Sequence, residues 1–161
     1  MLRIKYKTTL NLILIFSIFS IIAAYFIQYV LGHQPCNLCL LQRIPYISVI
    51  IVISLCLLLK KFEKISFITL SSIFFIATLL SLYHFGIEQG FIEESLVCNL
   101  NNAEKIITAE ELLEELKEKP ISCKNVTFRI FGISLATLNT IISRFLSVIL
   151  FKMYLNYEKN E

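Results

Sequence analysis

Residues Thr8–Leu31 read TTLNLILIFSIFSIIAAYFIQYVL, a stretch of 24 residues without a charged side chain. An α-helix needs ~20 such residues to cross the ~30 Å hydrocarbon core of a bilayer. Three further stretches of similar length and polarity follow, at about residues 40–59, 65–85 and 130–151. The chain is therefore predicted to be an all-α membrane protein, a bundle of four transmembrane helices.

The composition favours a single membrane domain covering residues 1–161. Hydrophobic residues make up 57% of the chain, and aspartate is absent. The polar connections are too short to build a core of their own, so we expect no separate soluble domain. We also expect no nucleic-acid partner. Basic residues precede the first apolar stretch, as in a signal peptide, but its apolar core is too long for one. We therefore expect it to be retained as an anchor.

Basic residues mark one side of the predicted bundle. They precede the first span, fill the link between the second and third spans, and follow the fourth: Arg3, Lys5, Lys7, Lys60, Lys61, Lys64, Lys152 and Lys159. The positive-inside rule puts such segments in the cytoplasm. Both termini are then cytoplasmic, and the loops at about residues 32–39 and 86–129 face outward.

Four of the five cysteines belong to the outward side: Cys36, Cys39, Cys98 and Cys123. In a bacterial cell that side is oxidising, so disulfides persist there. The sequence allows three connectivities, and proximity favours Cys36 with Cys39, which leaves Cys98 with Cys123. A Cys-x-x-Cys pair beside a positive charge is typical of a redox catalyst; half of a zinc site or two packing cysteines are the alternatives. Cys56 lies inside the second span and is predicted to be a packing residue.

Polar residues at the span ends are the next candidates. Extending the second span outward puts Arg43 in its outermost turn. Arg43 is then four residues from Cys39 and lies on the same helix face. Pro45 is expected to bend this end of the helix. Arg43 could hold a quinone beside a thiolate or simply reach lipid headgroups. His84 could donate to a quinone oxygen or be a plain interfacial residue. Arg144 lies in the fourth span, where contact with lipid at the cytoplasmic rim is favoured.

The long outward loop contains one further predicted element, a short amphipathic helix. Thr108 and Glu111 form a capping-box pattern, and Pro120 supplies the stop. Apolar residues share one face of this helix, opposite the glutamates: Ala109, Leu112, Leu113 and Leu116. A disulfide across this loop could be accessible to another protein, or it could only stabilise the loop.

Three motifs resemble the DsbB family of bacterial disulfide-bond-formation proteins: Cys36–Arg43 (CNLCLLQR), Tyr83–Glu88 (YHFGIE) and Phe131–Thr137 (FGISLAT). The resemblance runs from about Leu10 to Phe151, and the first motif is the most specific. It implies a four-helix protein of the bacterial inner membrane that oxidises a periplasmic DsbA-like thiol oxidase. The electrons would pass to ubiquinone or menaquinone in the membrane.

The same resemblance implies a role for each cysteine of the outward side. Cys98 is the residue attacked by the partner's thiolate, and Cys123 resolves or helps to resolve the mixed disulfide. Cys36 exchanges electrons between the loop pair and the membrane-edge pair. Cys39 is the thiolate that contacts the quinone.

Two polar residues are implied to assist at the quinone. Arg43 holds the ring, and His84 is a helper.

The reduction potential of a DsbA-type disulfide lies near −120 mV, about 180 mV above that of an ordinary structural disulfide. For two electrons this difference is roughly 8 kcal/mol. Thiolate stabilisation and an external electron acceptor are the means expected to close that gap.

Two rival classes remain from the sequence. A quinone enzyme of the vitamin K epoxide reductase type is also a small bundle with four outward cysteines, but there the Cys-x-x-Cys follows the loop cysteines, whereas here it precedes them. A metal-binding or transport protein would use the outward cysteines and His84. Zinc would then need tetrahedral geometry from two loops.

Overall fold

The computed structural model describes residues 2–59, 63–93, 123–124, 128–130 and 132–158. Within these ranges the elements, labelled here in chain order, are α1 (Leu2–Tyr29), α2 (Asn37–Leu41), α3 (Arg43–Leu59), α4 (Glu63–Glu88), β1 (Arg129–Ile130), β2 (Ile133–Ser134) and α5 (Leu135–Glu158). Two predicted features, Cys98 and the amphipathic helix of the long loop, lie outside the described residues.

Four helical segments of the described chain are long and apolar enough to cross a membrane: Tyr6–Tyr29, Asn37–Leu59, Lys64–Glu88 and Leu135–Asn156. The prediction of an all-α protein with four membrane-spanning helices is thereby confirmed. The last segment begins at Leu135 rather than near Ile130, because the residues before it form a small hairpin.

The hairpin fixes where α5 begins. Strands β1 and β2 pair antiparallel, with Arg129 opposite Ser134. Gly132 in the turn has a φ of +83°, a conformation that glycine adopts without a steric penalty. Ser134 then caps α5, because its Oγ accepts a hydrogen bond from the backbone N–H of Thr137 at 3.2 Å.

The second span is interrupted at Gln42, between α2 and α3. Pro45 explains the interruption, because it has no N–H to donate to the carbonyl of Leu41 and its ring crowds that carbonyl. The short helix α2 is thus a separate turn at the edge of the bundle. Arg43 begins the next helix instead of continuing the helix that contains Cys39.

Helix α4 packs most extensively on α5 and also contacts α3. Ser71 and Ser147 join α4 to α5 by reciprocal hydrogen bonds, each Oγ donating to the other residue's carbonyl at 3.0 Å. Small residues at such an interface let two helices approach closely within lipid. The core beside it contains buried side chains from α1, α3, α4 and α5: Leu10, Ile13, Val49, Ile53, Phe67, Leu70, Phe74 and Leu150.

Cys56 belongs to this same core and is 5% exposed, in line with the predicted packing role. Large apolar side chains also cover the outer faces of the long helices, for example Phe19, Leu58, Phe75 and Phe145. An apolar surface of this extent is suited to lipid rather than to water.

The end of α4 is set by a glycine cap. Gly90 has a φ of +76°, and the N–H of Phe91 donates to the carbonyl of Gly86 at 2.9 Å, a common way to satisfy the last carbonyls of a helix. His84 and Glu88 therefore lie one turn apart at this end of the bundle.

Candidate functional site

Cys36 and Cys39 form a close pair at the start of the second span. Their Sγ atoms are 2.9 Å apart, and both carry free thiols. Cys36 is the N-cap of α2, and its Sγ accepts a hydrogen bond from the backbone N–H of Cys39 at 3.4 Å. One turn of backbone therefore brings the two sulfurs into contact, and a disulfide between them needs only a small further approach.

His84 connects this pair to α4. The ring is buried, with 3% of the residue exposed, and its Nε2 lies 3.6 Å from Cys36 Sγ. The backbone of Cys123 is a further hydrogen-bond partner of the ring. A single imidazole thus contacts both outward connections of the chain.

The pKa of Cys36 is lowered from its ordinary value of 9.0 to about 4. The largest cause is the hydrogen bond from the Cys39 thiol, while burial of the sulfur acts in the opposite direction. The hydrogen bond from His84, and the charge of that ring when it is protonated, lower the pKa further. A pKa lowered in this way favours the thiolate form of Cys36 at neutral pH, and a thiolate is the nucleophile of thiol–disulfide exchange.

A chain of amides holds the other side of the His84 ring. Gln42 Nε2 lies 3.0 Å from His84 Nδ1, and Gln42 Oε1 accepts a hydrogen bond from Asn139 Nδ2 at 3.1 Å. Asn139 Oδ1 accepts from the Tyr46 hydroxyl at 2.6 Å. With the amides in these positions Nδ1 of His84 is an acceptor, so Nε2 carries the ring proton.

Glu88 is the acidic residue of the site. Its side chain is 5% exposed, and its Oε1 lies 3.7 Å from His84 Nε2. Its Oε2 is buried and has no hydrogen-bond partner among the described residues. Within that part of the chain, Glu88 is thus a buried carboxyl group with one unpaired oxygen.

A cavity of about 310 Å³ opens beside these groups. Small residues of α1 make room for the cavity: Ser20, Ala23 and Ala24. Its other walls are mostly apolar: Ile21, Ile27, Leu135, Ala136, Leu138 and Ile142. The polar side chains that reach it include Cys39, Arg43, His84 and Glu88. Apolar walls with a few converging polar groups are the usual form of a small-molecule site.

Arg43 lines this cavity together with Cys39. Its guanidinium lies over the Tyr25 ring, 4.9 Å from the centroid, which is a favourable cation–π distance. The placement of Arg43 and Cys39 on one helix face stays a prediction.

Cys123 joins the site from the second outward connection. It is 2% exposed, is disulfide-bonded, and packs in one buried cluster with Cys36, Leu38 and Ile87. The pairing of Cys123 with Cys98 stays a prediction, since Cys98 lies outside the described residues.

The predicted site residues Cys36, Cys39, Arg43, His84 and Cys123 thus share one cavity. Their chemical roles stay predictions. Arg144 is exposed on α5 and is not one of the cavity residues, which agrees with the lipid contact favoured for it.

Sequence reasoning missed Gln42, Tyr46, Glu88 and Asn139 as members of the site. A signal was present, because polar side chains within or at the ends of membrane spans are functional candidates by default. Their convergence on His84 could not be read from the sequence, however, since it depends on how three helices pack.

The same groups have the chemistry of a metal site. The ligand atoms of Cys36, Cys39 and His84 lie within 4.8 Å of one another. Thiolate and imidazole are ligands that zinc prefers, and a structural zinc site needs four of them. Among the described residues this group has three ligands, one fewer than a structural zinc site needs.

Comparisons with known proteins give the family of this chain. The family described as "Disulfide bond formation protein DsbB" has a sequence model that matches residues 6–153. An uncharacterized protein of Rickettsia prowazekii (strain Madrid E) is 29% identical over 154 residues, which cover 91% of this chain and 89% of that protein. No solved structure gives a significant match.

Proposed function

The chain belongs to the DsbB family of disulfide bond formation proteins, and on that premise we propose that it is a quinone-dependent thiol oxidase. Family membership makes it a multi-pass membrane oxidoreductase of disulfide formation. Its substrate is a periplasmic DsbA-like thiol oxidase in reduced form. Its electron acceptor is ubiquinone or menaquinone in the lipid bilayer of the bacterial inner membrane.

The observation that carries the proposal is the contact between two free thiols beside an apolar cavity. Cys36 and Cys39 are 2.9 Å apart, and both line the cavity. The pKa of Cys36, lowered to about 4, leaves it a thiolate at neutral pH. A packing or purely structural pair needs neither the thiolate nor the cavity.

Electrons enter through the loop pair. A thiolate of the reduced partner attacks Cys98, breaking the Cys98–Cys123 disulfide and forming a mixed disulfide. The partner's second thiol then displaces Cys98, so the partner leaves oxidised and both loop cysteines are reduced. This direction is supported by Cys123, which is disulfide-bonded and packs beside Cys36.

The second exchange moves the electron pair to the membrane edge. The reduced loop pair attacks the Cys36–Cys39 disulfide, the loop disulfide re-forms, and Cys36 and Cys39 become thiols. Cys36 is suited to this exchange because it contacts His84 and shares a buried cluster with Cys123.

The cavity residues fit a quinone ring. A bound quinone supplies the acceptor of two electrons and two protons. Cys39 is the sulfur that faces it, and the apolar walls exclude water. Arg43 offers a planar cationic donor to a ring oxygen, and His84 orients the Cys36 thiolate. Lipid is in reach for an isoprenoid tail, because apolar side chains cover the outer faces of the helices.

The membrane orientation follows from the basic residues. The positive-inside rule puts the link between α3 and α4, and both termini, in the cytoplasm. The thiol pairs then face the periplasm, where the substrate is found.

Anaerobic mixing of the purified protein with a reduced DsbA-like partner and quinone tests the proposal. Quinone absorbance should fall as the partner is oxidised, one quinone per disulfide. A chain that leaves the quinone unreduced under these conditions is not a quinone-linked oxidase.

Metal binding is a second candidate, favoured by the grouping of Cys36, Cys39 and His84 ligand atoms within 4.8 Å. It predicts stoichiometric zinc in the purified protein that survives treatment with a thiol oxidant. Rapid loss of zinc as the thiols become a disulfide would instead favour the oxidase.

A further inference from the structure

Arg43 is held beside the cavity by an aromatic ring rather than by an acid. Its guanidinium carbon lies 4.9 Å from the centroid of the Tyr25 ring, and Arg43 is one of the residues that line the cavity. Among the described residues no carboxylate oxygen lies within 4.0 Å of this guanidinium, since the acid that lines the cavity, Glu88, lies against His84 instead. The positive charge of Arg43 is therefore not neutralised within that part of the chain.

A ring and an acid hold a guanidinium in different ways. A carboxylate binds the N–H groups in pairs and compensates the charge, whereas an aromatic ring attracts the cation through its quadrupole and leaves the charge in place. Arginine has a long side chain with many rotamers, so a guanidinium without any contact is spread over many positions. The Tyr25 ring thus restricts the guanidinium while leaving its charge for another acceptor.

Tyr25 contacts Arg43 without lining the cavity itself. It lies near the end of α1, and α1 packs on α3, the helix that begins at Arg43. The Tyr25 ring also stacks on that of Tyr29, with the two centroids 6.0 Å apart and an interplanar angle of 11°. This neighbouring ring limits the orientations that Tyr25 adopts. An effect of Tyr25 on a molecule in the cavity is therefore exerted through Arg43.

Tyrosines near the end of a membrane span also have a common role that needs no cation. They anchor a helix at the boundary between lipid and water, and both Tyr25 and Tyr29 are exposed on α1. Anchoring depends on the ring and on its depth in the membrane, and not on Arg43. The two roles therefore differ in one respect, because only a positioning role disappears when Arg43 is removed.

We propose that Tyr25 is a positioning residue for the electron acceptor: its ring holds the charged Arg43 guanidinium beside the cavity, where the N–H groups donate to an oxygen of a quinone-class ring. The proposal rests on the proposed function, which gives the cavity to a quinone and a ring oxygen to Arg43. Tyr25 forms and breaks no bond in the reaction. Its removal should therefore weaken quinone binding and leave kcat nearly unchanged.

Steady-state quinone kinetics of Tyr25 variants test the proposal. Tyr25→Leu should raise the KM for quinone about two- to fivefold, as expected for the loss of an exposed cation–π contact. Tyr25→Phe keeps the ring face and should behave as the wild type. Phe26→Leu is the matched control, because it removes an exposed ring from the adjacent position of α1, one without a cation contact among the described residues. It should leave the KM unchanged.

A double-mutant cycle shows whether Tyr25 acts through Arg43. In the Arg43→Ala background, Tyr25→Leu should raise the KM no further, because the guanidinium that the ring holds is gone. The same added fold-change in both backgrounds would overturn the proposal and leave Tyr25 an interfacial anchor. A KM for Tyr25→Phe as high as that of Tyr25→Leu would also overturn it, since the hydroxyl group and not the ring face would then be responsible.

Chemical modification of Arg43 gives a readout without quinone. Phenylglyoxal reacts with guanidinium groups, and mass spectrometry of the full-length protein identifies the modified residues. Arg43 should react several-fold faster in Tyr25→Leu than in the wild type or in Tyr25→Phe. Arg144, which is exposed on α5, should react at one rate in all three proteins. Equal rates at Arg43 in all three would overturn the proposal.

The two readouts also separate this proposal from the proposed function. A wild type that does not reduce quinone would sink the proposed function, whereas the modification rates would still show whether Tyr25 holds Arg43. Should Tyr25→Leu not fold, Tyr25→Gln replaces it in each measurement, with the same expected results.

Discussion

The Nε2 atom of His84 lies 3.6 Å from Cys36 Sγ, although the two residues are 48 positions apart in the chain. This contact ties the sulfur at the start of the second span to the last turn of the third. The contact adds to the hydrogen bond from Cys39 in lowering the pKa of Cys36, and it lets the polar chain behind His84 influence sulfur chemistry.

The protonation of Cys36 can be checked directly by a pH titration. Its pKa is lowered to about 4, so the thiolate should persist from neutral pH down to about pH 5 and disappear only below that. Thiolate absorbance of the reduced wild type, minus that of Cys36→Ala, measures it. An absorbance change centred above about pH 8 would mean an ordinary thiol.

Removing His84 should raise the pKa of Cys36, because the ring donates to the thiolate. In His84→Ala the thiolate absorbance should therefore appear at higher pH than in the wild type. The hydrogen bond from Cys39 would remain, so the value should stay below the ordinary 9.0. An unchanged titration would restrict His84 to a packing role.

Cys39→Ser should separate the two half-reactions. Quinone reduction should be lost, because the pair can no longer form a disulfide. A disulfide-linked complex with the reduced partner should still be detectable on a non-reducing gel, since Cys98 is unchanged. Full quinone turnover by this variant would contradict the role assigned to Cys39.

Arg43→Ala should raise the KM for quinone by roughly tenfold or more, because a hydrogen bond to a charged group is worth about 1.5–3 kcal/mol. Arg144→Ala is the control, since Arg144 is exposed on α5 and does not line the cavity. Steady-state quinone kinetics compare the two. Equal KM values for quinone in the two variants would mean that Arg43 only contacts lipid.

Asn139→Leu keeps the side-chain size but breaks the amide chain. Gln42 Oε1 would lose its donor, at a cost of about 1–3 kcal/mol for a buried polar group left unpaired, whereas the Tyr46 hydroxyl would keep Ser143 as a hydrogen-bond partner. The variant should unfold at lower temperature in detergent, and its Cys36 pKa should rise as His84 loses orientation. Tyr46→Phe removes only the last hydroxyl of this hydrogen-bond chain, so it should shift the Cys36 titration less. A Cys36 titration in Asn139→Leu equal to that of the wild type would exclude coupling through Gln42.

The four membrane spans could be predicted from the sequence alone, because crossing a bilayer constrains local composition so strongly. The Thr8–Leu31 run and its three counterparts need only length and lack of charge to be recognised. The break near Pro45 was also foreseeable, since a missing N–H acts on the residues next to it. The start of α5 was not, because the hairpin before Leu135 depends on pairing between short strands that carry almost no pattern.

The Cys-x-x-Cys motif likewise predicted a close pair of cysteines, since residues three apart on one turn must be neighbours. Which groups contact Cys36, where Arg43 stacks, and why Glu88 lies beside His84 depended on helices α1, α3, α4 and α5 meeting at one end of the bundle. Contacts between residues far apart in the chain are set by how these helices pack, and helix packing depends on side-chain shape across all of them together. Local sequence thus determined the class of the protein and its cysteine motif, whereas only the tertiary structure decided which side chains surround that motif.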